Sequence, residues 1–267
     1  MMKQLILQHM KESCPWQDSL LWFDSIDSTN TRAKELAAQG APHGTVLIAD
    51  HQIGGRGRLG RSFHSPAGTG IYMSLVLRPN CTPSNLMHLT CAAAVAACEA
   101  VETSCGIRPG IKWTNDLVWG KRKLAGILTE LGLSPAGTVS YAVIGIGINC
   151  CQKTEDFPPE LQEMAGSLHS VTGNEIDRAK VSAALLDALY RMDQRLLTDR
   201  SDIMNRYRAD CITLGREISL VKADGSVRHG TALDIDEEGG LVVAFADGTR
   251  QTVTSGEVSI RGMYGYV

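Results

Sequence analysis

The chain has 267 residues, 43% hydrophobic and 21% charged, with 26 Lys plus Arg against 29 Asp plus Glu for a formal net charge of −3. Such a composition can bury a sizeable core and excludes wholesale disorder, while its mild acidity argues against a dedicated nucleic-acid binder. The richest apolar stretch, Leu89 to Cys98, is interrupted by Thr90 and stopped by Glu99, short of the roughly 18 residues of a membrane span, and the apolar patch at the amino terminus is too short for a secretory signal; the expected address is cytoplasmic, with no membrane and no DNA as partners.

Asp27-Ser28-Thr29-Asn30 followed by TRAKELAAQ and Gly40 predicts a helix with ordinary start and stop signals. Thr45 to Ala49 reads as a strand, residues 52–70 as a Gly-rich basic loop, and Ile71 to Leu77 as a second strand. Pro83-Ser84 opens an alanine-rich helix reaching about Thr103, on which Cys91, Cys98 and Cys105 recur every seven residues as one buried face. A strand at 111–113 leads to Asn115-Asp116, strands at 117–119 and 123–131 form a hairpin across Gly120-Lys121, and Ser140 to Asn149 is another strand. Residues 178–197 read as an amphipathic helix, extendable to Asp210. After Gly215 the texture changes to short β-like runs separated by Asp224-Gly225, Gly239-Gly240 and Asp247-Gly248, hairpin signals that suggest a small terminal barrel. None of the eight cysteines forms a C-x-x-C pair, so a zinc or thioredoxin-like reading lacks support, and structural disulfides are not expected.

Three segments carry chemistry. Gly54 to Arg61 places three arginines and four glycines in eight residues; glycine allows close backbone approach and arginine suits phosphate or carboxylate. It lacks the ending of a P-loop, and a solvated turn or an RNA-touching segment would explain the same run. In Lys112-Trp113-Thr114-Asn115-Asp116-Leu117, Asn-Asp is a common turn pair, and the nearby Lys123, as a lysine in a hairpin, would by itself be expected to face solvent. In Ile144 to Asn149, alternation gives Ile144, Ile146 and Ile148 to a core face and leaves Gly145, Gly147 and Asn149 on the other. Glycine within a strand marks close approach of a ligand or another backbone, or a barrel-like bend, and Gly126 repeats the device. A bare strand floor, a basic loop and a lysine hairpin together are consistent with an anionic ligand on a sheet.

In order and spacing, S-T-N at 28–30, GRGRLGR at 55–61, KWTNDL at 112–117, RKLAGIL at 122–128 and GIGIN at 145–149 resemble biotin protein ligases (biotin–[acetyl-CoA-carboxylase] ligases) over roughly residues 20–267. Thr114 departs from the family's usual proline, which should alter turn rigidity more than chemistry. About twenty residues ahead of the match leave no room for the helix-turn-helix domain of some members, so the short form is expected. The resemblance implies an α+β fold: a class-II-synthetase-like mixed sheet flanked by helices over 1–213, and a small SH3-like β-barrel over 214–267.

The resemblance also implies the reaction and its residues. Biotin is activated by Mg-ATP to biotinyl-5′-AMP and transferred to a lysine of a biotin carboxyl carrier domain of a carboxylase. Lys123, Arg58 and Asp116 are implied as catalytic, with Lys123 bridging the biotin carboxyl and the α-phosphate and Asp116 orienting the acceptor amine. Ser28, Thr29, Asn30, Gln52, Gly55, Arg56, Gly57, Arg58, Lys123, Gly126, Gly145 and Gly147 are implied for biotin. Arg58, Arg61, Lys112, Asn115, Lys123 and Asn149 are implied for ATP, with the loop 152–165 near the adenosine. The magnesium ligands and the choice between monomer and homodimer stay open. A lipoate or octanoate ligase of the same fold and a non-catalytic biotin sensor are the alternatives.

Overall fold

The computed structural model describes residues 1–11, 13–222 and 225–254, together with the backbone of 258–262. In chain order the elements are α1 (Met2–His9), β1 (Leu20–Phe23), α2 (Thr29–Ala38), β2 (Thr45–Ala49), β3 (Gly70–Leu77), α3 (Leu89–Cys105), β4 (Gly110–Lys112), β5 (Asp116–Trp119), β6 (Arg122–Leu133), β7 (Val139–Asn149), α4 (Leu168–Thr172), α5 (Arg178–Arg195) and α6 (Arg200–Asp210). They are followed by β8 (Glu217–Lys222), β9 (Val227–Ile235), β10 (Leu241–Ala244), β11 (Arg250–Val253) and β12 (Val258–Gly262).

A seven-stranded sheet runs β1-β2-β3-β7-β6-β5-β4, with β1 parallel to β2 and every other pair antiparallel. Its two faces follow the register. Ile48, Met73, Ile146 and Ile127 line up across four strands on one face and belong to the large core formed with α3, α5 and α6. On the other face Leu47, Val76 and Val143 pack against Ala33 and Ala37 of α2. The α2 helix covers only part of that face, and the site occupies the rest.

The fold is the expected α+β arrangement of a mixed sheet flanked by helices. The second sheet, β11-β10-β9-β8-β12, is antiparallel throughout, as an SH3-like domain requires. Gly225, Gly239 and Gly248 all take positive φ at its turns, although Asp224 of the first turn lies outside the described residues, as do 263–267. The turn Asp236–Gly240 docks on the main domain: Trp113 Nε1 donates to Gly239 O at 2.9 Å, and Arg208 Nη2 donates to Glu237 Oε1 at 2.7 Å.

The structure differs from the sequence reading in three places. The stretch 178–210 is two helices, α5 and α6, separated at Leu196–Asp199. The first residues, unassigned from sequence, form α1 and a turn whose Ile6, Met10, Cys14 and Trp16 enter the core. The helical segment Pro83–Cys105, with the turn that precedes α3, is long and apolar enough to cross a membrane by length and composition. Of its apolar 18-residue stretch 72% is buried inside the protein, which makes it the central core helix. Cys91 and Cys98 are buried on it as expected, Cys105 at its C-terminal end is only half-buried, and all eight cysteines are free thiols.

Candidate active site

The basic loop is an irregular hairpin. Gln52 N–H donates to Ser65 O at 3.1 Å, Phe63 N–H to Gly55 O at 2.9 Å and Gly57 N–H to Arg61 O at 2.7 Å, and the tip turns through Leu59 at φ 55° and Gly60 at φ 73°. Gly55 is buried inside it, where a Cβ would strike Phe63 O and sit 2.6 Å from Ser65 Oγ.

This hairpin, the first turn of α2 and the glycine-bearing strands enclose a cavity. Among the residues lining it are Ser28, Thr29, Asn30, Gln52, Arg56, Gly57, Arg58, Arg61, Asn115, Asp116, Lys123, Gly126, Gly145 and Gly147. Three of the implied residues do not line it. Gly55 lies behind the hairpin, Lys112 is buried opposite Asp116 in the β4–β5 ladder, and Asn149 is buried with its amide bound to Gly166 O. Phe63, Tyr72 and Leu128 also line the cavity and were not singled out from the sequence.

The floor is less bare than its glycines suggest. A Cβ at Gly145 would collide with Asn30 Oδ1, and one at Gly147 would sit 2.5 Å from the Phe63 ring. At Gly126 it would lie 3.2 Å from Lys123 Nζ and 3.5 Å from Phe63. The glycines therefore admit side chains of the protein itself. Asn30 donates to Glu130 Oε2 at 2.9 Å, its Oδ1 is 2.7 Å from the fully buried Ser74 Oγ, and Ser74 Oγ is 2.8 Å from Thr29 Oγ1. Gln52 Oε1 accepts from Thr29 N–H at 2.9 Å and its Nε2 donates to Ser65 Oγ at 3.0 Å. A polar chain thus runs under one end of the pocket. Ser74 had a sequence signal, as the one small polar residue in the strand IYMSLVL. Gly145→Ala should displace Asn30 from this chain and lower stability by ~1–3 kcal/mol, the range for overpacking a filled site; urea denaturation checks it, and unchanged stability would show that Asn30 moves aside freely.

A β-bulge places the lysine. Leu117 pairs with Ala125 but Val118 pairs with Lys123, so Leu124 is the extra residue. Uninterrupted alternation would put Lys123 on the core face with Ala125 and Ile127. The inserted residue turns it to the face of Asp116 and Gly126, the re-aiming for which bulges near active sites are known. Its Nζ forms an ion pair with Asp116 Oδ1 at 2.6 Å, which corrects the solvent-facing expectation.

Arg58 Nη1 donates to Asn115 Oδ1 at 2.8 Å, and Asn115 is fixed to β6 through Ile127 O at 2.9 Å. Burial lowers the Arg58 guanidinium from its ordinary value against the opposing pull of Asp116; an arginine remains charged there. Arg56 lies 3.8 Å from Glu130 Oε1, which also takes Lys34 Nζ at 2.7 Å. Burial pushes the Glu130 carboxyl up, but the bonds from Lys34 and Asn30 and the charges of Lys34 and Arg56 outweigh it and leave it below its usual value. Among the described lining residues four cations face one carboxylate, Asp116. A ligand with more than one negative charge fits that balance. The Trp113–Thr114 peptide, where the resembled family usually has proline, is cis.

Comparison with known proteins follows the same division. Residues 22–149 match the biotin/lipoate A/B protein ligase family, and residues 213–261 match the biotin protein ligase C-terminal domain. The bifunctional ligase/repressor BirA of Bacillus subtilis is 37% identical over 233 residues, 87% of this chain and 71% of that protein. The biotin–[acetyl-CoA-carboxylase] ligase of Paracoccus denitrificans is 33% identical over 88% of this chain and 98% of its own. A solved biotin protein ligase from Aquifex aeolicus, in complex with biotin and ATP, superposes with a TM-score of 0.77 at 29% identity, covering 91% of this chain and 99% of that one.

Proposed function

We propose the function from one premise: the chain belongs to the biotin/lipoate A/B protein ligase family, on its biotin protein ligase branch. It is an ATP-dependent, AMP-forming ligase that activates biotin and attaches it to a biotin carboxyl carrier protein. In the first step a biotin carboxylate oxygen bonds to the α-phosphorus of Mg-ATP, the α–β phosphoanhydride breaks, and pyrophosphate leaves. In the second, the amine of an acceptor lysine bonds to the acyl carbon of biotinyl-5′-AMP and AMP leaves.

The observation that carries the residue assignment is the face that gathers Lys123, Arg58 and Asp116 beside the glycine floor. The first step brings a carboxylate against a triphosphate, and fixed cations aimed at developing charge are commonly the largest catalytic effect. Lys123, with Arg58 and Arg61, offsets that repulsion; Ser28, Thr29 and Gln52 hold the ring end of biotin, and Asp116 receives the acceptor amine. Magnesium arrives with ATP as co-substrate and is held largely by phosphate and water, as suits an ion that dehydrates reluctantly. The boundary at 213/214 divides the ligase domain from a C-terminal domain that supports acceptor docking or closure of the site. Free thiols support a cytoplasmic address, the charge of −3 supports a protein without DNA as partner, and a homodimer is compatible with the same reading.

Incubation with ATP, Mg²⁺, biotin and a biotin carboxyl carrier domain should yield the biotinylated domain. Transfer of lipoate or octanoate in its place would overturn the reading in favour of the sister enzymes, and tight binding of biotin without transfer would mark a sensor.

The hairpin 52–64 serves as the lid over the adenylate, where it keeps a reactive mixed anhydride from water. Replacing Arg58 by Gly removes a charge-assisted contact worth about 1.5–3 kcal/mol. At ~1.36 kcal/mol per tenfold, biotinyl-5′-AMP should leave roughly ten- to a hundredfold faster and label bystander lysines. Its dissociation rate and biotin incorporation into serum albumin are the measurements; a variant that makes adenylate and releases it at the wild-type rate would remove Arg58 from the lid.

A further inference from the structure

We propose that Glu130 keeps the polar end of the pocket one hydrogen short and so selects a ligand that brings an N–H there, as a cyclic urea does. The proposal rests on the function given above and deepens it. Glu130 is a positioning residue that acts through Asn30; neither it nor Ser74 is among the residues lining the cavity.

Two amides at the ends of the polar chain have fixed orientations. Gln52 Oε1 accepts from Thr29 N–H at 2.9 Å, and Gln52 Nε2 donates at 3.0 Å to Ser65 Oγ, whose own hydrogen goes to Phe63 O at 2.9 Å. Gln52 therefore turns its oxygen to Thr29. At the other end Glu130 is an ionised carboxylate beside Lys34 at 2.7 Å and Arg56 at 3.8 Å, and an ionised carboxylate only accepts. Asn30 must give it the amide NH₂, and Nδ2 donates to Glu130 Oε2 at 2.9 Å and more weakly to Leu128 O at 3.4 Å. Asn30 Oδ1 is thereby turned inward to Ser74.

Between these two amide oxygens stand two hydroxyls. Asn30 Oδ1 is 2.7 Å from Ser74 Oγ, Ser74 Oγ is 2.8 Å from Thr29 Oγ1, and Thr29 Oγ1 is 3.1 Å from Gln52 Oε1. Each hydroxyl carries one hydrogen, so two hydrogens serve three contacts. Every arrangement that fills two of them directs the Thr29 hydrogen to Ser74 or Gln52. Toward the cavity, which it lines, Thr29 is then an acceptor. Turning Asn30 over would cure the shortage, because its NH₂ would donate to Ser74 and all three contacts would be filled. The same turn would set Asn30 Oδ1 against the Glu130 carboxylate, two acceptors with no hydrogen between them, an arrangement that forfeits a charge-assisted bond. Glu130 thus holds the chain in its acceptor-rich state. A ligand N–H that reaches Thr29 Oγ1 or Gln52 Oε1 supplies the missing hydrogen. The ring end of biotin carries two N–H groups; lipoate and octanoate carry none, and a site built to pair an N–H discriminates against ligands that lack it.

The test uses Glu130→Gln, Glu130→Ala and Glu130→Asp in the full chain. The first substitution keeps the volume and can donate to Asn30 Oδ1 while accepting from Lys34, so Asn30 is expected to turn over. The second leaves Asn30 free to turn, and the third keeps the charge. Titration calorimetry gives Kd for biotin and for desthiobiotin, which retains the cyclic urea without the sulfur ring. Biotin-dependent exchange of pyrophosphate into ATP gives kcat and the KM for ATP, and circular dichroism checks the fold. Glu130→Gln and Glu130→Ala should raise Kd for both ligands at least about tenfold (~1.4 kcal/mol), because a ligand N–H loses its acceptor. Their kcat should stay within about threefold and KM for ATP within about twofold, as expected when ground-state binding alone is lost. Glu130→Asp should bind both ligands within about threefold of wild type. Wild-type affinity for biotin in either folded neutral variant, an equal loss in all three variants, or a loss for biotin without one for desthiobiotin would overturn the proposal. Absence of biotin-dependent exchange in the wild-type protein would instead overturn the ligase function.

Discussion

Lys123→Ala should reduce biotin-dependent adenylate formation by about 10²–10³-fold, the loss typical of removing one preorganised group at a developing charge, while leaving the protein folded. The side chain is a flexible cation delivered by a bulge to the face where the cavity opens. It is the residue that can meet a carboxylate and an α-phosphate together, because its ion pair with Asp116 leaves two ammonium hydrogens for other acceptors. The fold should survive because the structural contribution of residue 123 lies in its backbone bonds to Met164 and Gly166, which alanine keeps. Pyrophosphate–ATP exchange measures the step and circular dichroism the fold. Exchange within a few-fold of wild type would remove Lys123 from the chemistry.

Asp116→Asn should slow transfer to the carrier domain by about 10²–10⁴-fold, the usual span for a positioned general base, and adenylate formation by less than about tenfold. An acceptor lysine with an ordinary pKa of ~10.4 is almost wholly protonated at neutral pH and needs a carboxylate to align it and take its proton. In the unliganded chain that carboxylate is engaged by Lys123 at 2.6 Å. On the proposed assignment the biotin carboxylate and the phosphate draw Lys123 toward themselves, which makes Asp116 available after the adenylate has formed and when the amine needs it. Loss of the carboxylate leaves Lys123 charged and free to serve the first step. Single-turnover transfer from preformed biotinyl-5′-AMP isolates the second; equal losses in both half-reactions would contradict this division of labour.

The contrast between Lys123 and the glycines shows what can be read from a linear sequence. Alternation correctly separates Ile144, Ile146 and Ile148 from Gly145 and Gly147, because side-chain direction along a regular strand is a local property. What the glycines face is not local: Asn30 lies over Gly145 and Phe63 over Gly147, each contributed by a distant segment. Lys123 fails the same alternation rule because a bulge inserts Leu124, and KLAGIL contains no glycine or proline at the insertion to announce it. Specific motifs marked the lysine where alternation pointed to the core and its residue type in a hairpin pointed to solvent. Helix boundaries show the same limit. The Ser28 cap of α2 is legible as a local hydrogen-bonding choice, with its Oγ accepting from Thr31 N–H at 3.4 Å. The break between α5 and α6 carries neither glycine nor proline. Around it Arg195 bonds Asp199 and Asp202, both at 2.8 Å, which ties the two helices across the turn.

The claim that one pocket holds biotin against ATP and joins them before any protein acceptor arrives is tested most directly by exchange of labelled pyrophosphate into ATP with no carrier domain present. The predicted result is exchange that requires both biotin and Mg²⁺, falls at least about a hundredfold in Lys123→Ala, and persists in Asp116→Asn. Exchange that is absent with biotin, or that appears with lipoate or octanoate in its place, would contradict the account.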